Sequence, residues 1–217
     1  MPFQNRTEAG VALAGALAEY AGQPVVVYAL PRGGVVLGVE VARRLRAPLD
    51  LLITRKIGHP LLAEYAIAAV TESGAMVSNQ AEIARVAPAW LEREAARQVA
   101  EARRRHRVYL GASPAPAVEN QTAIVVDDGL ATGLSMKAAI GELRQRRPAH
   151  IVVAVPVAAP ATLKEIAGLV DRAMALETPQ DFEAIGAFYR DFEPVGDDEV
   201  VALLHGLGHA GQDRGAA

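Results

Sequence analysis

The chain has 217 residues, enough for one large α/β domain with an appendage, and 51% of them are hydrophobic, enough for a sizeable core. A net charge of −3 and a pI near 6.0 argue against general attraction to nucleic acid. The absence of cysteine excludes disulfides, thiolate metal sites and cysteine nucleophiles. No signal-peptide pattern opens the chain and no apolar run nears the ~20 residues of a membrane span, so a cytoplasmic protein without a membrane anchor is expected.

In chain order, Asn5 and Glu8 have capping-box spacing, and Val11, Ala14 and Leu17 then recur at helical intervals. The Val-rich run from Pro24 to Leu30 predicts a strand buried on both faces. A turn, Pro31-Arg32-Gly33-Gly34, leads into a helix bearing Val35, Val39, Ala42 and Leu45 on one side. A second strand is expected over Leu49–Thr54, which completes a β-α-β unit and implies a parallel sheet.

Arg55 to Glu64, with Gly58 and Pro60, is expected to be a loop. Ala66–Val70 and Met76–Ser78 suit a hairpin, and a charged helix follows from about Ala89 to Val108. Ser113-Pro114-Ala115-Pro116 is a linker-like turn. Strand Thr122–Val126, a helix from Leu134 to about Arg146, strand Ile151–Val157, a helix near Ala161–Leu169 and strand Arg172–Leu176 complete the expected core. Glu177 to Glu199 gathers four aromatics among acids, and the Gly- and Ala-rich end is expected to be mobile.

The richest chemistry lies after the strand Thr122–Val126. The apolar run breaks into Asp127-Asp128-Gly129-Leu130-Ala131-Thr132-Gly133-Leu134-Ser135. Ligands of open α/β sheets bind at such strand ends. Gly129 and Gly133 let the main chain approach a ligand, Thr132 and Ser135 add hydroxyls, and the next helix directs its N-terminal N–H groups there. This suits a phosphate. The acid pair suits the vicinal hydroxyls of a sugar that separates it from that phosphate. The bland alternative is a tight strand-to-helix turn in which Asp serves as a cap. The run is neither a Walker A loop nor a dinucleotide fingerprint.

Val125-Val126-Asp127-Asp128-Gly129-Leu130-Ala131-Thr132-Gly133 resembles the signature with which type I phosphoribosyltransferases bind phosphoribosyl pyrophosphate (PRPP). The similarity extends over Arg32-Gly33-Gly34, Asp50 to Pro60 and Ala66 to Val70, so it covers roughly Val25 to Val157. It implies an α/β fold, a parallel-sheet core flanked by helices, with a small hood. The core would span 1–176 with a helical insertion at about 82–110, the hood 177–205, and a flexible tail 206–217.

By the same resemblance Asp127 and Asp128 hold the ribose hydroxyls, and Gly129, Leu130, Ala131, Thr132, Gly133, Leu134 and Ser135 hold the 5-phosphate. Arg32, Gly33, Gly34, Arg55 and Lys56 would receive pyrophosphate, with Lys56, Arg32, Asp127 and Asp128 as the catalytic set and a loop over Ile57–Glu64 closing on the site. Mg²⁺ is implied, carried mainly by PRPP without an assigned protein ligand. The acceptor would be a small nitrogenous base or amine, as in nucleotide salvage, and a homodimer is usual among such proteins. Phe182, Phe188, Tyr189 and Phe192 are available to stack on an acceptor ring, or else to pack the hood's own core.

Two functions fit these residues. One is an enzyme moving the 5-phosphoribosyl group of PRPP to nitrogen, and the other is a non-catalytic PRPP-sensing regulator. Phosphate-ester hydrolysis is disfavoured for want of a nucleophile or metal-ligand cluster. His205 and His209 have helical metal-pair spacing but flank glycines and lack a third ligand. The basic run Arg103 to Arg107 sits among acids and reads as a solvated helix face.

Overall fold

The structure, a computed structural model, describes residues 2–111 and 114–212, with side chains as far as residue 207. Ser113 of the expected 113–116 turn, the His209 side chain and the last five residues of the expected tail lie outside the described residues.

Helix α1 (Arg6–Ala16) starts as its capping residues dictate: the Asn5 carboxamide accepts the Glu8 N–H at 3.0 Å, while the Glu8 carboxylate reaches back to the Gln4 N–H. Strand β1 (Val25–Ala29) is wholly buried, and α2 (Gly33–Leu45) returns the chain to β2 (Leu49–Leu51), which pairs parallel with β1. Beyond the antiparallel excursion described below, β6 (Thr122–Val126), α5 (Leu134–Gln145), β7 (His150–Val157), α6 (Pro160–Ala167) and β8 (Arg172–Glu177) extend the sheet. Its order is β2-β1-β6-β7-β8, all parallel.

The central strands β1, β6 and β7 are apolar on both faces, and the pleat divides their residues. Val25, Val27, Ala29, Ile124, Val126, Val152 and Ala154 face α1 and α2. Val26, Tyr28, Ala123, Val125, Val153 and Val155 face the opposite layer, with Ile140, Leu143 and Ile166 from α5 and α6. This is the layer arrangement expected of continuous hydrophobic strands joined by helices.

The first correction lies between Leu52 and Glu64. The strand expected over Leu49–Thr54 ends at Leu51, and the expected loop is a hairpin. Strand β3 (Thr54–His59) and β4 (Leu62–Thr71) pair antiparallel, and β5 (Met76–Ser78) completes a separate three-stranded sheet. Only Ile57 of β3 is buried, so Arg55, Lys56 and His59 gave this strand the polarity of a loop. Gly58 is needed there because a Cβ would stand 2.0 Å from the Ala63 carbonyl oxygen, beside a register irregularity.

The short α3 (Gln80–Ile83) and the long α4 (Pro88–Leu110) follow, with Pro88 in the first turn of α4 as its fixed φ favours. Trp90, Leu91, Ala95 and Val99 of α4 pack on the apolar side of the small sheet.

The second correction concerns the end of the chain. A flexible tail is expected over 206–217, yet α7 runs from Asp197 to Gln212. Val200, Leu203, Leu204 and Leu207 recur at helical spacing and pack on the main core, which outweighs the poor helix propensity of Gly206 and Gly208. Asp197, Asp198 and Glu199 in the first turn complement the helix dipole. Among the described residues no helix is long and apolar enough to cross a membrane.

The segment between β8 and α7 is irregular apart from a 3₁₀ turn at Ile185–Phe188. The N-terminal residues pair with it: Phe3 N–H donates to the Phe188 carbonyl at 2.8 Å, and Arg190 N–H donates to that of Phe3 at 2.8 Å. The N-terminal residues and this segment thus build one flap beside the carboxyl ends of β1 and β6.

Candidate active site

Once the antiparallel excursion is set aside, the parallel sheet has the strand order 2-1-3-4-5, and its connections diverge between β1 and β6. A crevice opens outside the strand ends at such a switch point. The two loops singled out by sequence, 31–34 and 127–135, flank this crevice. Leu30 N–H donates to the Val126 carbonyl at 3.1 Å, and Gly34 N–H donates to that of Leu30 at 3.1 Å.

The loops touch so closely that only glycine fits. A Cβ on Gly33 would stand 1.9 Å from Asp128 Oδ2, and one on Gly34 would meet the Cα, the Oδ1 and the preceding carbonyl of Asp127 at 3.0 Å each. Gly33 and Gly34 therefore serve contact with the acid pair. The Pro31–Arg32 peptide is cis.

The acid pair is asymmetric. Asp127 Oδ1 accepts the Asp128 N–H at 2.8 Å. Burial, followed by repulsion from Asp128, pushes the Asp127 carboxyl well above the usual carboxylate range, and the Asp128 N–H, then Lys56 and Arg6, counteract only part of this. Asp128 instead has a cation of its own: Arg6 Nε donates to Oδ2 at 2.8 Å, with both side chains largely buried. The Asp128 carbonyl accepts the Tyr189 hydroxyl at 2.6 Å, and burial pushes the Tyr189 phenol upward.

The small-residue loop leads into α5 as its composition predicts. Leu130 and Leu134 are buried, so only their backbone can face a ligand. Gly133 adopts left-handed φ, 73°, and packs against Thr162, whose hydroxyl donates to the Ala131 carbonyl at 2.6 Å. The Gly133 carbonyl accepts the N–H of Lys137 at 2.8 Å, and α5 has no side-chain cap. The N–H groups of Leu134, Ser135 and Met136 consequently lack intrahelical acceptors and, with the helix dipole, favour an anion.

The cations divide between two sides. Lys56 is exposed and contributes favourable charge at Asp127. Arg55, one residue earlier on β3, is turned toward α4, where its Nε donates to Gln98 Oε1 at 3.0 Å. Arg55 is thus engaged with the helical insertion, although sequence placed it beside Lys56 in one pyrophosphate set. Arg32 remains half-exposed, 3.6 Å from Asp197 Oδ1 at the start of α7. Asp197 also accepts from Tyr109 at 2.6 Å and from Arg104 at 3.1 Å, bonds that hold its carboxyl below the usual range.

The aromatics of the flap mostly serve packing. Tyr189 is 6% exposed and lies against Phe3 and Phe192, with centroids at 5.7 and 4.9 Å. Its face is not free to stack on a ligand. Phe182 and Phe188 stack on each other at 5.6 Å and are only half-buried. Sequence missed Arg6 and Ile185, which press on the acid loop from this flap. Ile185 lies so close to Gly129 that a Cβ there would be 2.6 Å from its Cγ2. A signal for Arg6 existed: a cation in the first turn opposes the dipole of α1, so an anion should lie nearby.

Comparison with known proteins agrees with this geometry. The family model for the phosphoribosyl transferase domain matches residues 7–193. Two Mycobacterium tuberculosis proteins, from strains CDC 1551 / Oshkosh and ATCC 25618 / H37Rv, are each 38% identical over 204 residues and carry the name "Putative phosphoribosyl transferase". The match covers 93% of this chain but 46% of each relative, so the chain spans about half their length. The crystal structure of TT1426 from Thermus thermophilus is 44% identical, with a TM-score of 0.77, over 94% of this chain and 98% of that one. The matched range takes in the acid pair, the glycine turn and the whole parallel sheet, and the chain belongs to the phosphoribosyl transferase domain family.

Proposed function

We propose that the protein transfers the 5-phosphoribosyl group of PRPP to a nitrogen acceptor and releases pyrophosphate. The observation that carries this reading is the contact of Gly33 and Gly34 with Asp127 and Asp128 across the switch-point crevice. One ligand that spans both loops has a phosphate at one end, a dihydroxy sugar in the middle and a second anionic group at the other. PRPP has that order.

In this reading the 5-phosphate takes the N–H groups from Gly129 to Ser135 and the α5 N-terminus. Asp127 and Asp128 accept from the ribose hydroxyls. The Gly33-Gly34 backbone, Arg32 and Lys56 receive the pyrophosphate as charge moves onto it. Displacement breaks the bond from the anomeric carbon to pyrophosphate oxygen and forms one to the acceptor nitrogen, whose proton leaves to solvent or to the departing pyrophosphate, with positive charge building on the ribose as in glycoside cleavage. No covalent nucleophile is required. The β3–β4 hairpin, whose tip exposes Leu61 and Leu62, would close over the crevice and exclude water.

Mg²⁺ suits the hard carboxylate oxygens of the acid pair. No group of three or more metal-ligating His, Cys, Asp or Glu side chains occurs among the described residues, so the ion would travel on the donor's oxygens. When bound it would neutralise pyrophosphate charge. Phe182 and Phe188, on the flap, remain the candidates to meet a planar acceptor.

The test is pyrophosphate release from PRPP and Mg²⁺ in the presence of purines, pyrimidines and simple amines one at a time. Release that depends on one acceptor is the expected result. Saturable PRPP binding with no release under any acceptor would instead support a PRPP-sensing regulator, and the absence of both would refute the PRPP reading.

A further inference from the structure

Arg6 sits in the first turn of α1, where a cation is electrostatically disfavoured, and is nonetheless largely buried. Its guanidinium is used in three directions. Nε donates to Asp128 Oδ2 at 2.8 Å, Nη1 donates to the Glu193 carbonyl at 2.8 Å, and its plane lies over the Phe192 ring at 3.8 Å. A Cβ on Gly33 would be 2.9 Å from the same Nε, so the guanidinium also abuts the glycine turn. It is the side chain at which the flap, the acid pair and the opposite loop meet.

We propose that Arg6 is a positioning residue for the donor sugar: it takes one oxygen of Asp128 and turns the other toward the ribose. The inference rests on the PRPP reading above. Without Arg6 two adjacent carboxyl groups share a poorly solvated corner, and Asp128 Oδ2, which lies beside Gly33, loses the donor that fixes its orientation. With it, Oδ2 is committed, the negative charge is balanced and Oδ1 remains to accept from a hydroxyl. Because the same guanidinium holds Glu193 and Phe192, ordering of the flap and presentation of the acid are one event. Tyr189, bonded to the Asp128 carbonyl, fixes the backbone of the residue whose side chain Arg6 fixes.

The test compares PRPP affinity, with Mg²⁺ present, of the wild type, Arg6→Gln and Arg6→Lys, with thermal unfolding of each. The glutamine variant should lose about tenfold in affinity and the lysine variant about threefold or less, since the charge beside Asp128 is kept. A merely structural role on Phe192 and Glu193 needs the planar fork, so it would make both variants lose alike. Equal losses, or no loss in Arg6→Gln, overturn the proposal. If Arg6→Gln does not fold, Arg6→Lys decides: affinity within threefold supports the proposal and a tenfold loss overturns it. Failure of the wild type to bind PRPP is a separate outcome, which overturns the functional reading itself.

Discussion

Replacing Gly129 with alanine probes whether the flap truly seats on the acid loop. A Cβ there would stand 2.6, 2.9 and 3.2 Å from Cγ2, Cγ1 and Cβ of Ile185. Gly129 does not have positive φ, so the substitution costs little in backbone terms and acts by overlap. Overpacking of this kind costs about 1–3 kcal/mol, because Ile185 or the 3₁₀ turn that carries it must move. Ile185→Ala alone should cost about 1–2 kcal/mol for a half-buried side chain. In the double variant the added methyl occupies part of the space that the isoleucine leaves, so the two costs should not add. A coupling of about 1 kcal/mol or more in favour of the double variant is expected. Urea denaturation of the four proteins measures it. Additive effects within about 0.5 kcal/mol would show that Ile185 does not rest on Gly129, and the seating of the flap would be refuted.

Three further outcomes follow from individual contacts. Tyr189→Phe removes a 2.6 Å bond and leaves the Asp128 carbonyl without it, so stability should fall by about 1–1.5 kcal/mol and the melting temperature by about 2–6 °C; an unchanged melting curve would contradict that bond. Arg104 and Arg105 hold the Glu101 carboxyl down to about 2 from its ordinary 4.5. A depressed carboxylate stabilises above its unfolded pKa and stops doing so as pH falls through the folded one. The urea midpoint of the wild type should therefore exceed that of Glu101→Gln at pH 7, with the gap closing between pH 4.5 and about 2; a constant gap would refute the pairing. Lys56→Ala should slow pyrophosphate release by about 10²-fold while PRPP affinity changes little, and full turnover in that variant would remove Lys56 from the leaving-group role.

The parallel core was legible because its strands are buried on both faces and read as unbroken runs such as Thr122–Val126. The acid loop was legible because Asp127-Asp128-Gly129 ends such a strand abruptly. The β3–β4 hairpin was not, because Arg55, Lys56 and His59 surround one buried residue, Ile57, and two-residue alternation leaves no trace at that length. The same pleat separates Arg55 from Lys56, a fact hidden while the segment reads as a loop. The end of α7 was obscured by Gly206 and Gly208, whose low propensity is overridden by Leu203, Leu204 and Leu207 on the core. The contacts of Arg6 and Ile185 were hidden for a different reason, although the cation opposing the dipole of α1 hinted at an anion near Arg6. Their partners, Asp128 and Gly129, are remote in the chain, 122 positions away in the case of Arg6, and only the folded flap brings them to the acid pair.

The central claim is that the two carboxyl groups between the phosphate loop and the glycine turn hold the sugar of PRPP. Calorimetric titration of PRPP with Mg²⁺ into the wild type and into Asp127→Asn/Asp128→Asn tests it most directly. Saturable binding to the wild type, abolished in the double variant while its unfolding stays cooperative, is predicted. Absence of binding to the wild type, or equal affinity in both proteins, would contradict it.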